Sequence, residues 1–162
     1  MDFNLIQRQN VQRLDWPLVL EWRNDIKLYA LMRTNREIQL NEHMLWFDDR
    51  SKDFQRYPLL GYYLDEELIA ITRIDPTEVS CHEISLIVSP TYRGRGVATF
   101  CLNDTVNFFF SSPEFKGSIL IAKVHPDNLI SIRLFEKNGF ESWGSDKAGF
   151  LEMIIQDPLN IS

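Results

Sequence analysis

The sequence predicts a single mixed α/β domain, with a central sheet of about seven strands and four helices. Strand-like and helix-like apolar patterns alternate in the order strand, helix, helix, strand, strand, strand, helix, strand, helix, strand, strand. The passage from Glu83 to Val124 reads strand, helix, strand, and such a crossover joins parallel strands of one sheet. With 162 residues and no repeat or linker, the chain is expected to form one domain, 1–162.

The first three elements are predicted from their apolar and capping residues. Residues 3–8 are predicted to form a strand. Asp15 is a suitable helix cap and Pro17 is tolerated in a first turn, so a helix is predicted that carries Arg23 near its end. Asn41 is predicted to cap the second helix.

Three strands then form an antiparallel meander. The segments 57–64 and 68–74 are apolar and rich in aromatic or β-branched residues, and the acidic residues 65–67 between them predict a hairpin turn. The third strand, 83–88, ends before Pro90, which cannot continue a central ladder.

The remaining elements alternate between helix and strand. Helical periodicity predicts helices over 96–110 and 128–138, and the second ends at Gly139, a residue suited to a left-handed turn. Strands are predicted over the other apolar segments: 118–124, 141–144 and 150–156.

Composition and charge argue against several classes of partner. The formal net charge is −6 and the basic residues are scattered, whereas nucleic-acid binding needs clustered positive charge. No stretch approaches the roughly 20 apolar residues of a membrane helix, and no secretory signal is recognised. Cys81 and Cys101 are expected to be free thiols, and no spacing resembles a metal site. We therefore expect a cytoplasmic protein with a small-molecule partner, and homodimer formation stays open.

A glycine-containing turn follows the strand 83–88 and opens the next helix. Gly94 and Gly96 would let the backbone approach a ligand, while free amides and the helix dipole favour a pyrophosphate. Two glycines are equally compatible with a simple turn, but the surrounding order of elements favours the anion site. The residues predicted to bind the pyrophosphate are Arg93, Gly94, Arg95, Gly96, Val97, Ala98 and Thr99.

Two motifs resemble the signatures of the GNAT superfamily of N-acetyltransferases. Arg93, Gly96 and Ala98 match the pattern Gln/Arg-x-x-Gly-x-Gly/Ala. The segment 128–140 is similar to Asn-x-x-Ser/Ala-x-x-x-Tyr/Phe-x-Lys-x-Gly-Phe. The resemblance implies a GNAT-like fold over the whole chain and acetyl-coenzyme A (acetyl-CoA) as acyl donor. It implies further cofactor contacts at Leu86, Ile87, Val88, Asn128 and Phe135, with core packing as the alternative for Phe135.

A narrower resemblance covers the amino-terminal third. Trp22-Arg23-Asn24, Glu42-His43 and Trp46-Phe47 resemble marks of acetyltransferases that modify amino groups of nucleotide-linked sugars, as in the pseudaminic acid pathway. Ribosomal-protein acetyltransferases share part of this pattern, so a protein amino-terminal acetyltransferase is an alternative, and a non-catalytic acetyl-CoA sensor is another. The residues expected to bind the acceptor amine are Arg23, Arg33, His43 and Trp46, with core packing as the alternative for Trp46.

The chemistry requires a base for the amine, and the resemblance assigns this role to Glu83. By strand alternation His82 points to the opposite face, so His82 would replace Glu83 as the base if the register differed. Many relatives have a tyrosine that protonates the departing thiolate where this chain has Phe135. Ser131 is therefore predicted as the donor, with Tyr92, water or departure of an unprotonated thiolate as alternatives.

Overall fold

The computed structural model describes residues 1–157 and contains one seven-stranded sheet. Its strands are β1 (Gln7–Asn10), β2 (Leu59–Leu64), β3 (Glu67–Glu78), β4 (Cys81–Val88), β5 (Ile119–Val124), β6 (Glu141–Ser145) and β7 (Leu151–Ile155). Its helices are α1 (Trp16–Arg23), α2 (Ile26–Tyr29), α3 (Leu40–Arg50), α4 (Val97–Ser111) and α5 (Leu129–Lys137). The mixed α/β fold is confirmed, and residues 158–162 of the predicted domain lie outside the described residues.

The strand order in the sheet is β1-β2-β3-β4-β5-β7-β6. All neighbouring strands pair antiparallel except β4 and β5, which are parallel. The connection from β4 through α4 to β5 is therefore the predicted crossover. Within residues 1–157, no helix is both long and apolar enough to cross a membrane.

Several predicted element boundaries differ from the structure. The strand predicted at 3–8 begins at Gln7, because Phe3–Leu5 form a 3₁₀ turn whose amide at Asn4 is bound by the Asp2 carboxylate at 3.0 Å. The strand predicted at 68–74 continues to Glu78, and a register shift next to Pro76 accommodates the proline. The one-turn helix α2 was not predicted.

Asp15 occupies the predicted N-cap position of α1 but makes no capping hydrogen bond, and the predicted cap of the second helix, Asn41, is wrong. Asp15 precedes α1, but its carboxylate accepts a hydrogen bond from the Tyr63 hydroxyl at 2.9 Å instead of capping the helix. Asn41 lies inside the first turn of α3, because that helix begins at Leu40. Asn41 Oδ1 accepts from the Glu42 amide at 2.8 Å, so this side chain binds an amide of the first turn from a position inside the helix.

The helices cover both faces of the sheet. On one face, α1 and α3 contribute Trp16, Val19 and Phe47 to a buried cluster that contacts β2 and β3. On the other face, Leu102 and Phe109 of α4 pack in a second buried cluster with β3, β4 and β5. The rings of Phe109 and Phe115 also contact His82 with centroid distances of 5.5 and 5.0 Å, which confirms that His82 points to the α4 face.

The alternation of β4 positions its polar residues. Ile84 packs in the α4-side core, whereas Ile87 packs against the cluster under α1 and α3. Since side chains alternate along a strand, Glu83, Ser85 and Ile87 share the α1 and α3 face. This face forms one wall of the cleft described next.

Candidate active site

The parallel strands β4 and β5 separate in the middle of the sheet. Their pairing covers residues 81–83 and 119–121, although β4 continues to Val88 and β5 to Val124. Beyond Glu83, β4 remains paired with β3 along its other edge. Its backbone groups on the β5 side therefore face a gap, where they could bind a ligand.

The gap opens into a cleft of about 640 Å³. Its walls come from the α1 and α3 layer, the segment 30–39 between α2 and α3, β4, the end of β5 and the start of α5. The predicted site residues that line it are Arg23, Arg33, His43, Trp46, Glu83, Leu86, Ile87, Asn128, Ser131 and Phe135. The structure thus brings the predicted base, the strand expected to hold the cofactor arm and the acceptor candidates together.

The glycine turn lies after β4, outside the lining of the cleft. Gly94 and Gly96 have φ angles of +73° and +83°, in the left-handed region that favours glycine. The Phe100 amide donates to Gly96 O at 3.1 Å, so the preceding amides of α4 have no acceptor within the helix. Among the described residues, no side chain caps this end. A pyrophosphate fits a helix start whose first amides have no acceptor within the helix and no side-chain cap.

The other predicted residues of the turn have defined positions. Arg93 donates from Nε to Val88 O at 3.2 Å and pairs through Nη1 with Asp25 Oδ2 at 3.4 Å, which ties the turn to β4 and to the start of α2. The guanidinium of Arg95 lies 5.6 Å from the centre of the Tyr92 ring. Val97 is buried, while Ala98 and Thr99 are half-buried.

Glu83 lies where β4 and β5 separate, opposite Asp75 on β3 and Ile121 on β5. Its side chain is 19% exposed, and its Oε2 lies 3.6 Å from Nη2 of Arg33. Burial raises the pKa of Glu83, while the positive charges of Arg33, Lys123 and Arg73 oppose that shift. A carboxylate with a raised pKa is a better proton acceptor near neutral pH.

A family model described as the acetyltransferase (GNAT) family matches residues 16–140. The matched span contains β4, its separation from β5, the glycine turn and the start of α5. The chain belongs to the GNAT acetyltransferase family. It is therefore an acetyltransferase with acetyl-CoA as acyl donor, as the two motifs predicted.

Individual relatives agree with this assignment. The protein named acetyltransferase PseH from Campylobacter jejuni subsp. jejuni serotype O:23/36 (strain 81-176) is 27% identical over 131 residues, 80% of this chain and 79% of the relative. Spermidine N-acetyltransferase from Vibrio cholerae, solved with CoA and spermine, superposes with a TM-score of 0.82 at 15% identity, over 94% of this chain and 95% of that one. AAC(6')-Ib, solved with ribostamycin and coenzyme A, superposes with a TM-score of 0.77 at 19% identity, over 95% of this chain and 94% of that one.

The part of the cleft lined by α1 and the segment 30–39 is rich in arginine. Arg23 donates from Nη2 to Thr34 O at 2.7 Å, while its Nη1 is buried and has no hydrogen-bond partner among the described residues. Burial, together with the nearby charges of Arg73 and Arg36, lowers the pKa of Arg23. The cleft lining therefore contains one guanidinium, that of Arg23, with a buried nitrogen that lacks a hydrogen-bond partner among residues 1–157. The positive charges of Arg73 and Arg36 lie near it.

His43 and Trp46 line the cleft and also belong to the helical layer. The His43 ring stacks on Trp16 with a centroid distance of 4.3 Å, and its Nε2 lies 2.8 Å from Trp16 O. Burial lowers the pKa of His43. Trp46 stacks on Trp16 at 5.4 Å and lies beneath the guanidinium of Arg73 at 5.6 Å.

The predicted proton donors differ in position. Ser131 lines the cleft, and its amide donates to the capping oxygen of Asn128 at 3.1 Å. Tyr92 is absent from the described cleft lining, and its hydroxyl donates to Glu67 at 2.8 Å. Phe135 is 6% exposed and packs edge-on against Phe140 at 4.9 Å. Ser131 is thus the predicted donor that faces the cleft.

Several charged residues at the site were not predicted from the sequence. Arg36, Arg73, Asp75 and Lys123 line the cleft, and Asp146 contacts it through Arg33. The sequence does contain a signal for two of them, because Arg73 and Lys123 interrupt the largely apolar segments 68–74 and 119–124. A charge in such a strand indicates a polar site on one face of the sheet.

Proposed function

We propose that this enzyme acetylates the amino group of an anionic acceptor, specifically a nucleotide-linked amino sugar, with Glu83 as general base. The observation that carries the proposal is Nη1 of Arg23, which is buried and has no hydrogen-bond partner within residues 1–157. An unsatisfied buried donor costs about 1–3 kcal/mol, and more when it is charged. A rotation of the Arg23 side chain that turns Nη1 towards the cleft would let an acceptor phosphate satisfy this donor, since guanidinium groups bind phosphates well.

The charge of the cleft supports an anionic acceptor. Five basic residues line it, Arg23, Arg33, Arg36, Arg73 and Lys123, against the acidic residues Glu42, Asp75 and Glu83. The whole chain, in contrast, has a net charge of −6. A local excess of positive charge in an acidic protein raises the concentration of anionic ligands at that site. The similarity to acetyltransferase PseH agrees with this choice of acceptor.

Acetyl-CoA, when bound, supplies an activated acetyl thioester. The amides at the start of α4 would hold its pyrophosphate, and the free edge of β4 at Leu86 and Ile87 would hold its arm. Arg23 would orient the acceptor by its phosphate. Glu83 would accept the proton of the acceptor's ammonium, which is required before the amine can attack.

The departing thiolate of coenzyme A needs less help from the protein than the attacking amine does. A thiol has a pKa of about 8–9, so its conjugate base can depart near neutral pH without full protonation. Phe135 cannot supply a proton, and Ser131 is the hydroxyl that would serve from α5. If Ser131 supplies this proton, Ser131→Ala should lower kcat and leave the KM for the acceptor unchanged.

A three-acceptor assay tests the proposal. The acceptors are a nucleoside diphosphate-linked amino sugar, the same amino sugar without the nucleotide, and a peptide with a free amino terminus, and thiol release is followed for each. We expect the nucleotide-linked sugar to have the highest kcat/KM. Arg23→Gln should lower that value by about 10- to 150-fold, which corresponds to one charge-assisted hydrogen bond. It should leave the unlinked sugar nearly unaffected.

Arg13→Gln is the matched control, because Arg13 pairs with Asp48 on the surface at 2.7 Å and does not line the cleft. It should retain the wild-type preference. Turnover of the peptide alone, insensitive to Arg23→Gln, would instead identify a protein amino-terminal acetyltransferase. Binding of acetyl-CoA by calorimetry without turnover of any acceptor would identify a sensor.

A further inference from the structure

Arg33 reaches across the cleft and contacts two carboxylates with one nitrogen. It belongs to the segment 30–39, and its Nη2 lies 3.2 Å from Asp146 Oδ2 and 3.6 Å from Glu83 Oε2. Its guanidinium also lies 5.5 Å from the centre of the Phe150 ring. The acceptor's ammonium must approach the same carboxylate, so Arg33 occupies the position that a substrate cation needs.

Asp146 is a fixed second partner for this guanidinium. It lies between β6 and β7, where its Oδ1 accepts from the amides of Ala148 at 2.9 Å and Phe150 at 3.0 Å. The other oxygen, Oδ2, is left to Arg33 and to Lys123 at 3.8 Å. Because backbone amides hold this carboxylate, Arg33 can leave Glu83 and still keep an ion pair.

We propose that Arg33 is a positioning residue, an exchangeable counter-ion that holds Glu83 ionised in the absence of acceptor and withdraws from Glu83, while it keeps its hydrogen bond to Asp146, when the acceptor's ammonium arrives. This inference rests on the proposed role of Glu83 as base. The product amide is neutral and cannot compete with a guanidinium for the carboxylate. Arg33 therefore returns to Glu83 after acetyl transfer and favours product release.

Other charged groups also face Glu83, and each has a different main partner. Arg73 on β3 donates from Nε to Ser85 at 2.8 Å and pairs with Asp75 at 3.1 Å. Lys123 on β5 pairs with Glu152 at 3.0 Å. The titratable and charged groups around Glu83 are Arg33, Arg73, Asp75, Lys123, His125 and Asp146. Among the described residues, Arg33 is the cation within ion-pair distance of Glu83.

The test is a carbon-13 NMR titration of the Glu83 carboxyl in the intact protein without acceptor, in the wild type and in Arg33→Gln, Arg33→Lys and Asp146→Asn. The Glu83 signal is assigned by comparison with Glu83→Gln. Arg33→Gln should move the titration midpoint to higher pH, because it removes the paired positive charge. Arg33→Lys should restore it towards the wild type. Asp146→Asn keeps the oxygen that binds the backbone amides but releases Arg33 fully to Glu83, so the midpoint should fall.

Kinetics provide the second readout, with any amine that the enzyme turns over. The ratio of kcat/KM at pH 8 to kcat/KM at pH 6 should rise about threefold or more in Arg33→Gln and fall in Asp146→Asn. The KM for the amine should rise in Asp146→Asn, because the guanidinium competes more strongly. Arg13→Gln is the control and should change neither the titration nor the ratio.

An unchanged Glu83 titration in Arg33→Gln would overturn the proposal, and so would shifts of the same sign in Arg33→Gln and Asp146→Asn. A purely structural role of Arg33 predicts those results. The titration needs no acceptor, so it remains decisive if the proposed acceptor is wrong. Full activity of Glu83→Gln would reject the base itself and leave the measured Arg33–Glu83 coupling intact.

Discussion

Arg50 is a buried charged residue that ties α3 to the central sheet, and its replacement by methionine should destabilise the fold strongly. Its side chain is 6% exposed and forms an ion pair with Asp75. Its Nη2 donates to Pro58 O at 2.9 Å and to Ile74 O at 2.8 Å. These contacts join the end of α3 to the start of β2 and to the middle of β3.

The magnitude follows from what Arg50→Met leaves behind. Removing one partner of a buried ion pair costs about 3–5 kcal/mol. Asp75 is 30% exposed and keeps Arg73 at 3.1 Å, which relieves part of its loss. Methionine preserves the apolar stem that packs near Trp46, so the cavity contribution is small. We therefore expect a loss near the lower limit, about 3 kcal/mol of unfolding free energy.

Urea denaturation at pH 7, followed by tryptophan fluorescence and by circular dichroism, measures this loss. With a slope of about 2 kcal/mol/M, the midpoint should fall by about 1.5 M at unchanged slope. Arg13→Met is the control, because it breaks the exposed pair with Asp48, and its midpoint should match the wild type. A loss below about 1 kcal/mol in Arg50→Met would refute the argument that this buried charge is structurally required.

Two further replacements test the site. Glu83→Gln should lower kcat/KM near pH 7 by about 10²- to 10³-fold in the thiol-release assay, because the amine loses its base, and an unchanged rate would remove Glu83 from that role. Because burial raises the pKa of Glu83 in the folded state, ionisation of Glu83 opposes folding. At pH values above that folded-state pKa, Glu83→Gln should therefore have a higher melting temperature than the wild type. This difference should disappear below about pH 4, where Glu83 is protonated in both the folded and the unfolded state. Gly96→Ala should weaken acetyl-CoA binding in calorimetry, because the added Cβ would lie 3.2 Å from the Phe3 ring at a φ of +83°, whereas the same calorimetry on Gly117→Ala, far from the turn, should give wild-type affinity.

The strands and the crossover were predictable because their signals are local. The β-branched run before Pro90, the glycine turn and the helical period after it are all adjacent in the sequence, and they specify β4, the turn and α4 directly. Asn128 lines the cleft for a similarly local reason, since it caps α5 through the Ser131 amide within a single turn. The family motifs contain these same local features.

The charged network was not predictable, because its partners are distant in the sequence. Arg33 and Asp146 are 113 residues apart and meet only when the segment 30–39 packs beside the turn between β6 and β7. The cap errors have a related cause. Asp15 is a good local cap by residue type, but tertiary packing brings the Tyr63 hydroxyl close enough to bind its carboxylate. Short-range propensity describes what a residue can do, and packing selects among the options.

The early separation of β4 from β5 has a thermodynamic consequence. Because β4 stops pairing with β5 after residue 83, residues 84–88 lack the backbone hydrogen bonds to β5 that a continuous sheet would have formed. In the binding mode that we propose, the pantetheine amides of a bound cofactor would replace those backbone hydrogen bonds, and the ligand would take the place of a strand. Stability would then increase with the logarithm of cofactor concentration once it exceeds the dissociation constant. Cofactor binding should slow hydrogen exchange most at the backbone amides of β4 and β5 that face the gap. The centre of the sheet would then be most rigid when acetyl-CoA is bound.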